Sequence, residues 1–304
     1  MRVWGRIPGA APIWAAASTE GPIRVGIRIG TNVAALTAMR HLANATNRVN
    51  RSMERLSSGL RINRAADDPA GLAMSEKLRA KIRALDVGVR NAGDGISMVQ
   101  IAEGALGASS DLIVRLKELA EQAMNGTVSD EQRGYLNQEF HALVEEIDRI
   151  AVTTEFNGRY LLDGSGGNTG IQVGTGSQSG GQIDVAIGSS YSAAGLGLDN
   201  VTLAGNPASW AVQPLDAIEA AMRMVSSGRA GFGATQNRLE SSVRMMSIER
   251  ENLSAADSRI RDVDYAAEVS ELTSAQILQQ MAVAMLAQAS RQPALVLQLM
   301  GIRQ

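Results

Sequence analysis

The sequence contains no cysteine, and aromatic residues make up only 3% of its 304 residues. Without cysteine the chain has no disulfide framework, and catalysis by a thiolate is excluded. A globular enzyme of this size usually fills its core with more Phe, Tyr and Trp. Ala, Leu and Met carry much of the 45% hydrophobic fraction instead. This composition favours long helices packed side by side.

An excess of either charge sign is also missing, since 29 basic residues face 31 acidic ones. A nucleic-acid-binding protein needs a basic excess to neutralise phosphates, so that class is excluded. No run of about 18 apolar residues occurs, so no helix is predicted to span a membrane. The longest candidate, Met281 to Ala287, is too short. We therefore expect a soluble protein.

Proline is scarce, with 7 residues in the chain, and the stretches 70–206 and 215–292 contain none. Because proline is the strongest helix breaker, these stretches can hold long helices. Apolar spacing predicts a helix over 31–60 and another from Pro69 to about Asn125. Ser129 and Gln132 form a capping box that starts a third helix. Further helices are predicted after Pro214 and from Asp264 onward.

Two of these helices carry apolar residues at intervals of seven. Their positions are Val99, Leu106, Ile113 and Ala120 in the first, and Ile218, Val225, Phe232, Leu239, Met246, Leu253 and Ile260 in the second. Such a repeat predicts a coiled-coil-like seam. In the second of these helices the other seam position is half polar, with Arg229, Gln236 and Arg250, which predicts a mixed partner surface. Seams need partners, so the two ends of the chain pair with each other or with other copies.

Residues 163–213 differ from the rest, because they are rich in Gly and Ser and short of charge. Ile171–Val173 and Gln182–Ile187 are typical of strands, and Gly174–Gly181 is predicted to join them as a hairpin. The Gly-rich stretch lacks the phosphate-loop pattern and does not open a helix. The predicted fold class is mainly α, with long antiparallel coiled-coil-like helices and a small β-hairpin region.

Groups of residues that could carry out catalysis or bind a metal are missing as well. His41 and His141 have no carboxylate or second histidine at ligand spacing, which favours ordinary helix-surface roles. Glu145 and Glu146 are adjacent on a helix and point different ways. Met245 and Met246 fit a seam better than a ligand pair. We predict no catalytic site, no bound cofactor and no metal.

Long strings at both ends resemble bacterial flagellins. They are ERLSSGLRINRAADDPAG (Glu54–Gly71), RNAGDGISMVQIAEGAL (Arg90–Leu106), EEIDRIAVTTEFNGRYLLDG (Glu145–Gly164), GATQNRLESSV (Gly233–Val243), ENLSAADSRIRDVDYAAEVSELTSAQILQQ (Glu251–Gln280) and MLAQAS (Met285–Ser290). Together with IQVG and LGLD in the middle, the similarity runs from about Ile29 to Met300. Motifs of this length and order are highly specific.

The resemblance implies the flagellin inner-core fold in a short form that lacks the variable outer domains. It places terminal assembly arms at 25–66 and 264–304, and an inner core domain at 67–263 with the hairpin at about 163–213. It implies a non-enzymatic subunit that is secreted and polymerises with itself into the extracellular flagellar filament for swimming. The implied partners are further copies, a flagellar secretion chaperone, the filament cap and hook-associated proteins. Neither nucleic acid nor membrane is among them.

Three other classes compete with this interpretation. A hook-filament junction protein shares the terminal helices, but the ERLSSGLRIN string and the long C-terminal match favour flagellin. A chemoreceptor-like coiled coil would have no Gly-rich β insert. A hydrolase would need a catalytic constellation that the sequence lacks.

One stretch also resembles the site by which some flagellins bind a host Toll-like receptor. It is LIVRLKELAEQ (Leu112–Gln122), with Arg115 and Leu119 at matching places and Glu139 matching a third position on the following helix. The alternative is that Arg115 and Glu139 are solvated charges flanking the seam. The resemblance itself implies that these residues contact the receptor when the chain is a monomer.

Residues 1–24 differ in character, since they hold three prolines and no helical period. Flagellins similar to this chain begin four residues before the I-x-T-N string, which is Ile29–Asn32 here. That count puts Val25 in the place of the initiator methionine. We expect residues 1–24 to be an extension that the working protein does not contain. A signal peptide is the competing interpretation, but prolines interrupt its apolar stretch.

Overall fold

The computed structural model of the chain describes residues 31–174, 176, 179–205 and 213–299, with side chains described to residue 291. The expected extension at 1–24 and the end of the chain lie outside this part. The elements are α1 (Val33–Ser58), α2 (Pro69–Met124), α3 (Asp130–Thr153), β1 (Glu155–Phe156), β2 (Arg159–Tyr160), β3 (Asn168–Gln172), β4 (Gln182–Ala186), α4 (Pro214–Arg261) and α5 (Tyr265–Leu299). The mainly α fold class and its five helices are confirmed.

Local signals account for the helix starts. At α2, the Asp68 carboxylate accepts a hydrogen bond of 2.9 Å from the Gly71 amide, and Pro69 occupies the first turn. The predicted capping box opens α3: the Ser129 amide donates to the Gln132 side chain at 2.9 Å, and the Gln132 amide donates to the Ser129 hydroxyl at 3.3 Å. Each bond satisfies an amide that has no partner within its helix.

The chain divides into two compact units. Among the described residues, unit 1 comprises 31–63 and 263–299, and unit 2 comprises those between 64 and 262. The boundaries expected from the sequence were 66/67 and 263/264. The roles given to these parts, assembly arms and inner core, stay predictions.

Unit 2 is built on α2 and α4, which run antiparallel. Their direction follows from paired residues, since Ser75 bonds Asp257 at 2.5 Å while Lys117 lies 3.6 Å from Glu219. The seam residues of α2 are fully buried, and those of α4 are buried from Ile218 to Met246. Farther along, Leu253 and Ile260 are only half-buried. The seam is therefore tight over most of its length and opens toward the end of α4.

Two of the three polar positions of the α4 seam meet opposite charges on α2, whereas Gln236 donates to Glu240 on its own helix. Arg229 lies 3.5 Å from Glu103, and Arg250 lies 3.0 Å from Asp86. Each of these pairs is about half exposed, so each contributes little stability. The pairs instead fix the register of α2 against α4, because sliding one helix by a turn would separate all of them.

The core of unit 2 is completed by α3 and the Gly-rich region. Large side chains from both, and from the two residues that follow β2, are fully buried against α2 and α4, including Phe140, Ile147, Leu161, Leu162, Leu198 and Leu203. The predicted hairpin is confirmed, with β3 antiparallel to β4 from Asn168 opposite Ala186 to Gln172 opposite Gln182. Tyr191 packs its ring on α4 at Gly228, where any side chain would collide with it. The Gly-rich region thus packs onto the helices.

A second hairpin was not predicted. Strands β1 and β2 pair through a two-residue turn in which Asn157 and Gly158 have φ of 50° and 75°. Positive φ at both central positions is typical of the tight hairpin turn that Asn-Gly favours.

In unit 1, α1 and α5 also run antiparallel. The Asn32 side chain donates to the Ala289 carbonyl at 2.8 Å, and at the other end the Val263 amide donates to the Gly59 carbonyl at 3.0 Å. Gly59 ends α1 in the left-handed conformation, with φ of 72°. Among the described residues, no helix is long and apolar enough to cross a membrane.

Candidate assembly surface

The contact between α1 and α5 is built from small residues. On α1 the buried positions are Ala35, Ala38, Ala45, Val49 and Ser52, which follow a heptad spacing. On α5 the buried positions are Glu268, Ala275, Ala282 and Ala289, each seven residues after the last. Alanine lets two helices approach closely, but its burial removes little apolar surface from water.

Large apolar side chains of unit 1 lie outside this contact. Eleven of them are between 48% and 61% exposed: Val33, Leu36, Met39, Met53, Tyr265, Val269, Ile277, Leu278, Met281, Val283 and Met285. We call this set the unit 1 apolar surface. A soluble monomer seldom exposes so many large apolar residues on one pair of helices, and such patches mark sites of protein association.

Part of this surface forms a groove between the two helices. Its volume is about 840 Å³, and its apolar lining includes Val33, Leu278, Met281 and Met285. His41 and Arg48 supply its polar side. Arg48 is held by Glu271 across the helix pair, with Nε to Oε1 at 2.9 Å. The groove is apolar and open, which suits the packing of side chains from another chain.

One polar contact of unit 1 is incomplete. Arg55 and Glu268 pair at 3.5 Å, and both are mostly buried. Arg55 Nε and Glu268 Oε1 are among the buried side-chain atoms that lack a hydrogen-bond partner. A buried polar atom without a partner costs stability, so this end of the helix pair is less well satisfied than the alanine stripe.

The residues matched to a Toll-like receptor contact lie in unit 2. Arg115 on α2 donates to Glu139 on α3, with distances of 3.1 Å from Nε and 2.8 Å from the terminal nitrogen to the same carboxylate oxygen. Glu118 accepts a third bond at 2.8 Å. The hydrogen bond to Glu118, followed by those to Glu139, raises the pKa of Arg115 above its ordinary value. Arg115 therefore stays charged and positioned on the surface.

Leu119 is in a different environment. It is 1% exposed and belongs to the core shared by α2, α3 and α4. The structure thus brings Arg115 and Glu139 together at the surface and places Leu119 beneath them. In this arrangement Leu119 supports the two helices and offers no surface of its own.

The two histidines lie on α1 and α3. His41 is exposed in the unit 1 groove, and His141 is half-buried with an edge contact to Phe140. Within the described residues, no group of three His, Cys, Asp or Glu side chains could hold a metal ion. The Gly-rich loop after β3 leads back into the sheet at β4.

Sequence reasoning missed two features. The first is the alanine stripe of α5, whose seven-residue spacing is visible in the sequence once Ala275 is taken as its start. The second is the buried Arg133, whose Nε donates to the Ala123 carbonyl at 2.9 Å and closes the end of α2. Arg133 follows the capping box directly in sequence, but no pattern shows that it turns back.

Long seam-forming helices, a core confined to one unit and an apolar surface on the terminal helix pair define a self-associating structural subunit. Comparison with known proteins gives the family. The model of the bacterial flagellin N-terminal helical region matches residues 29–167, and that of the bacterial flagellin C-terminal helical region matches residues 215–300. The chain belongs to the bacterial flagellin family.

Individual relatives agree. A flagellin of Halalkalibacterium halodurans is 46% identical over 273 residues, which cover 90% of this chain and 99% of that protein. A flagellin of Bacillus subtilis is 42% identical over 305 residues, covering 90% of this chain and 100% of that protein. A solved structure described as a flagellar hook-associated protein of Vibrio parahaemolyticus has a TM-score of 0.53 at 14% identity, covering 64% of this chain and all of that one. That likeness shows the fold alone.

The family decides between the alternatives set out above. The chain is a structural subunit of the flagellar filament, which lies outside the cell, and it is not an enzyme. The hook-filament junction interpretation has no better support. A short flagellin is consistent with the length of the chain.

Proposed function

We propose that this flagellin polymerises chiefly through its unit 1 apolar surface, with the same surface of other copies as partner. The observation that carries the proposal is the burial pattern of unit 1, where the buried positions of α1 and α5 are mostly alanine and eleven large apolar residues are about half exposed. Covering eleven half-exposed side chains would contribute on the order of 10 kcal/mol. That gain is large enough to offset the ordering of the terminal helices during assembly.

Export and assembly partners follow from the same role. We propose that the chain passes the flagellar secretion apparatus with a secretion chaperone, joins the filament beneath its cap, and contacts hook-associated proteins at the filament base. Terminal helices that bury little surface by themselves are suited to export in an unfolded state and to ordering on assembly. The compact insert of unit 2, without large outer domains, predicts a thin and smooth filament.

Paired substitutions test the assembly proposal. Ile277→Ser with Leu278→Ser removes two large residues from the unit 1 apolar surface. The matched control, Val152→Ser with Tyr160→Ser, removes two similarly exposed apolar residues from unit 2. Purified chains are brought to neutral pH, and filaments are measured by sedimentation and electron microscopy.

The unit 1 variant is expected to stay in the supernatant while circular dichroism shows intact helices. The control is expected to form filaments. If the unit 1 variant polymerises as well as the control, its apolar surface does not drive assembly.

A second proposed role is binding of the monomer to a host Toll-like receptor. Its support is the exposed ion pair of Arg115 and Glu139, which presents a fixed charge pattern on the α2–α3 face. Leu119 would act indirectly, by keeping the two helices in place. Arg115→Ala is expected to reduce the response of a receptor reporter cell line at least tenfold. Arg149→Ala, which breaks the exposed pair with Glu146 on α3, is the control. Equal responses from both variants would refute the assignment.

A further inference from the structure

Methionine is the only sulfur-containing residue of this chain, which has 13 Met and no Cys. All four methionines in the described part of unit 1 belong to its apolar surface: Met39, Met53, Met281 and Met285. Each is at least 50% exposed. By contrast, Met98 and Met246 in the core of unit 2 are 4% exposed. The described methionines of unit 1 thus all lie on the surface by which the chain is expected to associate.

We propose that these four methionines are modification sites at which a peroxide reversibly blocks assembly. The inference rests on the proposed function, because it needs the unit 1 apolar surface to be the association surface. A sulfur lone pair attacks one peroxide oxygen, so that an S–O bond forms and the O–O bond breaks. The sulfur is oxidised to the sulfoxide. The other peroxide oxygen departs as hydroxide, takes the proton from the oxygen now bound to sulfur, and leaves as water.

The sulfoxide changes what the surface can do. A methionine side chain is flexible and apolar, which suits it to fill irregular gaps between helices. Its sulfoxide is polar, and it disrupts interfaces in which the thioether was buried. A buried polar group without a hydrogen-bond partner is costly, and the surface that contains these methionines consists of large apolar residues. Oxidised monomers should therefore be excluded from the filament.

The location also makes the device selective. In the monomer the four sulfurs are reachable, whereas in the filament the same surface would be covered. Oxidation would then act on subunits before they assemble and spare those already in place. Because methionine sulfoxide reductases remove the oxygen, the block is reversible.

The most direct test needs no substitution. Wild-type monomer is oxidised with hydrogen peroxide until about half of the exposed methionines carry one oxygen, and it is then allowed to polymerise. Peptide mass spectrometry gives the sulfoxide fraction at each site in the pellet and the supernatant. The ratio of sulfoxide to sulfide at the four sites is expected to be about tenfold higher in the supernatant, the ratio produced by 1.4 kcal/mol of lost association energy.

Exposed methionines of unit 2 supply the internal control, since Met74, Met124, Met224 and Met245 are between 40% and 68% exposed. Equal partitioning of both sets would overturn the proposal, as would stronger exclusion of the unit 2 sulfoxides. Treatment of the supernatant with methionine sulfoxide reductases should return the excluded chains to the pellet.

Substitution sharpens the result. One variant carries Leu at all four unit 1 positions, and the other carries Leu at the four exposed unit 2 positions. For each variant, the polymerisation of a peroxide-treated sample is compared with that of an untreated sample. Peroxide should leave the assembly of the unit 1 variant unchanged and still block the unit 2 variant. If untreated wild-type chain forms no filaments, the proposed function fails; if treated and untreated wild type polymerise alike, only the oxidation proposal fails.

Discussion

Units 1 and 2 are both built on antiparallel helix pairs with seven-residue repeats, but they bury opposite kinds of residue. In unit 2 the buried positions are large, such as Leu106, Ile113 and Phe232, and both apolar clusters of the described structure lie there. In unit 1 the buried positions of α1 and α5 are mostly alanine, and eleven large apolar residues are about half exposed, although Ile62 after α1 is buried. The same repeat therefore produces a self-sufficient core in one unit and an open surface in the other.

The difference teaches that a heptad pattern does not by itself describe a closed coiled coil. What matters is which residue size occupies the seam. Large residues at the seam stabilise the helix pair by their burial. Alanine at the seam lets the helices approach closely, and the large apolar side chains then stay available for burial against another copy of the chain. In a filament subunit we therefore expect unit 2 to fold alone and unit 1 to depend on neighbours.

Removal of Thr273–Gln304 should have the largest effect on this comparison. The deletion takes away three alanines of the α5 stripe and five residues of the unit 1 apolar surface, Ile277, Leu278, Met281, Val283 and Met285. Polymerisation should be lost completely, while a soluble and helical monomer remains because unit 2 keeps its whole core. Sedimentation and circular dichroism provide the readouts. Filaments from the truncated chain would show that the division into arm and core is wrong.

Two leucine-to-alanine substitutions should separate the units. Leu106→Ala creates a cavity at a fully buried site of unit 2 and should cost the monomer about 2–5 kcal/mol of unfolding free energy. Leu36→Ala, at a site that is 55% exposed, should change it by no more than about 0.5 kcal/mol. Urea unfolding followed by circular dichroism measures both.

In polymerisation the larger effect should come from Leu36→Ala and the smaller one from Leu106→Ala. Leu36→Ala should raise the critical concentration for polymerisation about fivefold, which corresponds to about 1 kcal/mol of lost apolar burial per subunit. A similar loss of monomer stability in both variants would remove the contrast between the units.

A small effect of pH is expected from Glu146. The hydrogen bond from Arg149 lowers the pKa of this carboxyl below its ordinary value of 4.5. The stabilisation is thus present above that ordinary value and is lost as pH falls through the lower pKa of the folded state. Glu146→Gln should lower the melting temperature slightly at pH 7 and not at pH 2. Because both side chains of the pair are largely exposed, the gap should be small. A gap that persists at pH 2 would contradict the assignment to this ion pair.

Much of the fold could be predicted from local signals. Proline positions, capping residues and apolar spacing located all five helices, and alternation located the longer hairpin. The shorter hairpin was missed although Asn157–Gly158 is a strong turn signal, because its strands are only two residues long. Strands that short carry no alternation to detect.

The candidate surface was harder to predict. Charge-free composition indicated that the C-terminal helix needs a partner, but it could not show that alanine faces α1 while Ile277 and Met281 face outward. Likewise, the motif match that includes Leu119 could not reveal that this residue is buried beneath Arg115 and Glu139. Both facts depend on how helices distant in sequence pack, which no local pattern contains.

Amide hydrogen exchange, measured on the monomer and on the filament, tests the central claim most directly. Exchange protection reports the free energy of local opening along each helix. In the monomer, α1 and α5 should exchange much faster than α2 and α4, and on polymerisation their protection should rise to match that of unit 2. If α1 and α5 are as well protected as α2 and α4 in the free monomer, unit 1 is stable without neighbours and the account is contradicted.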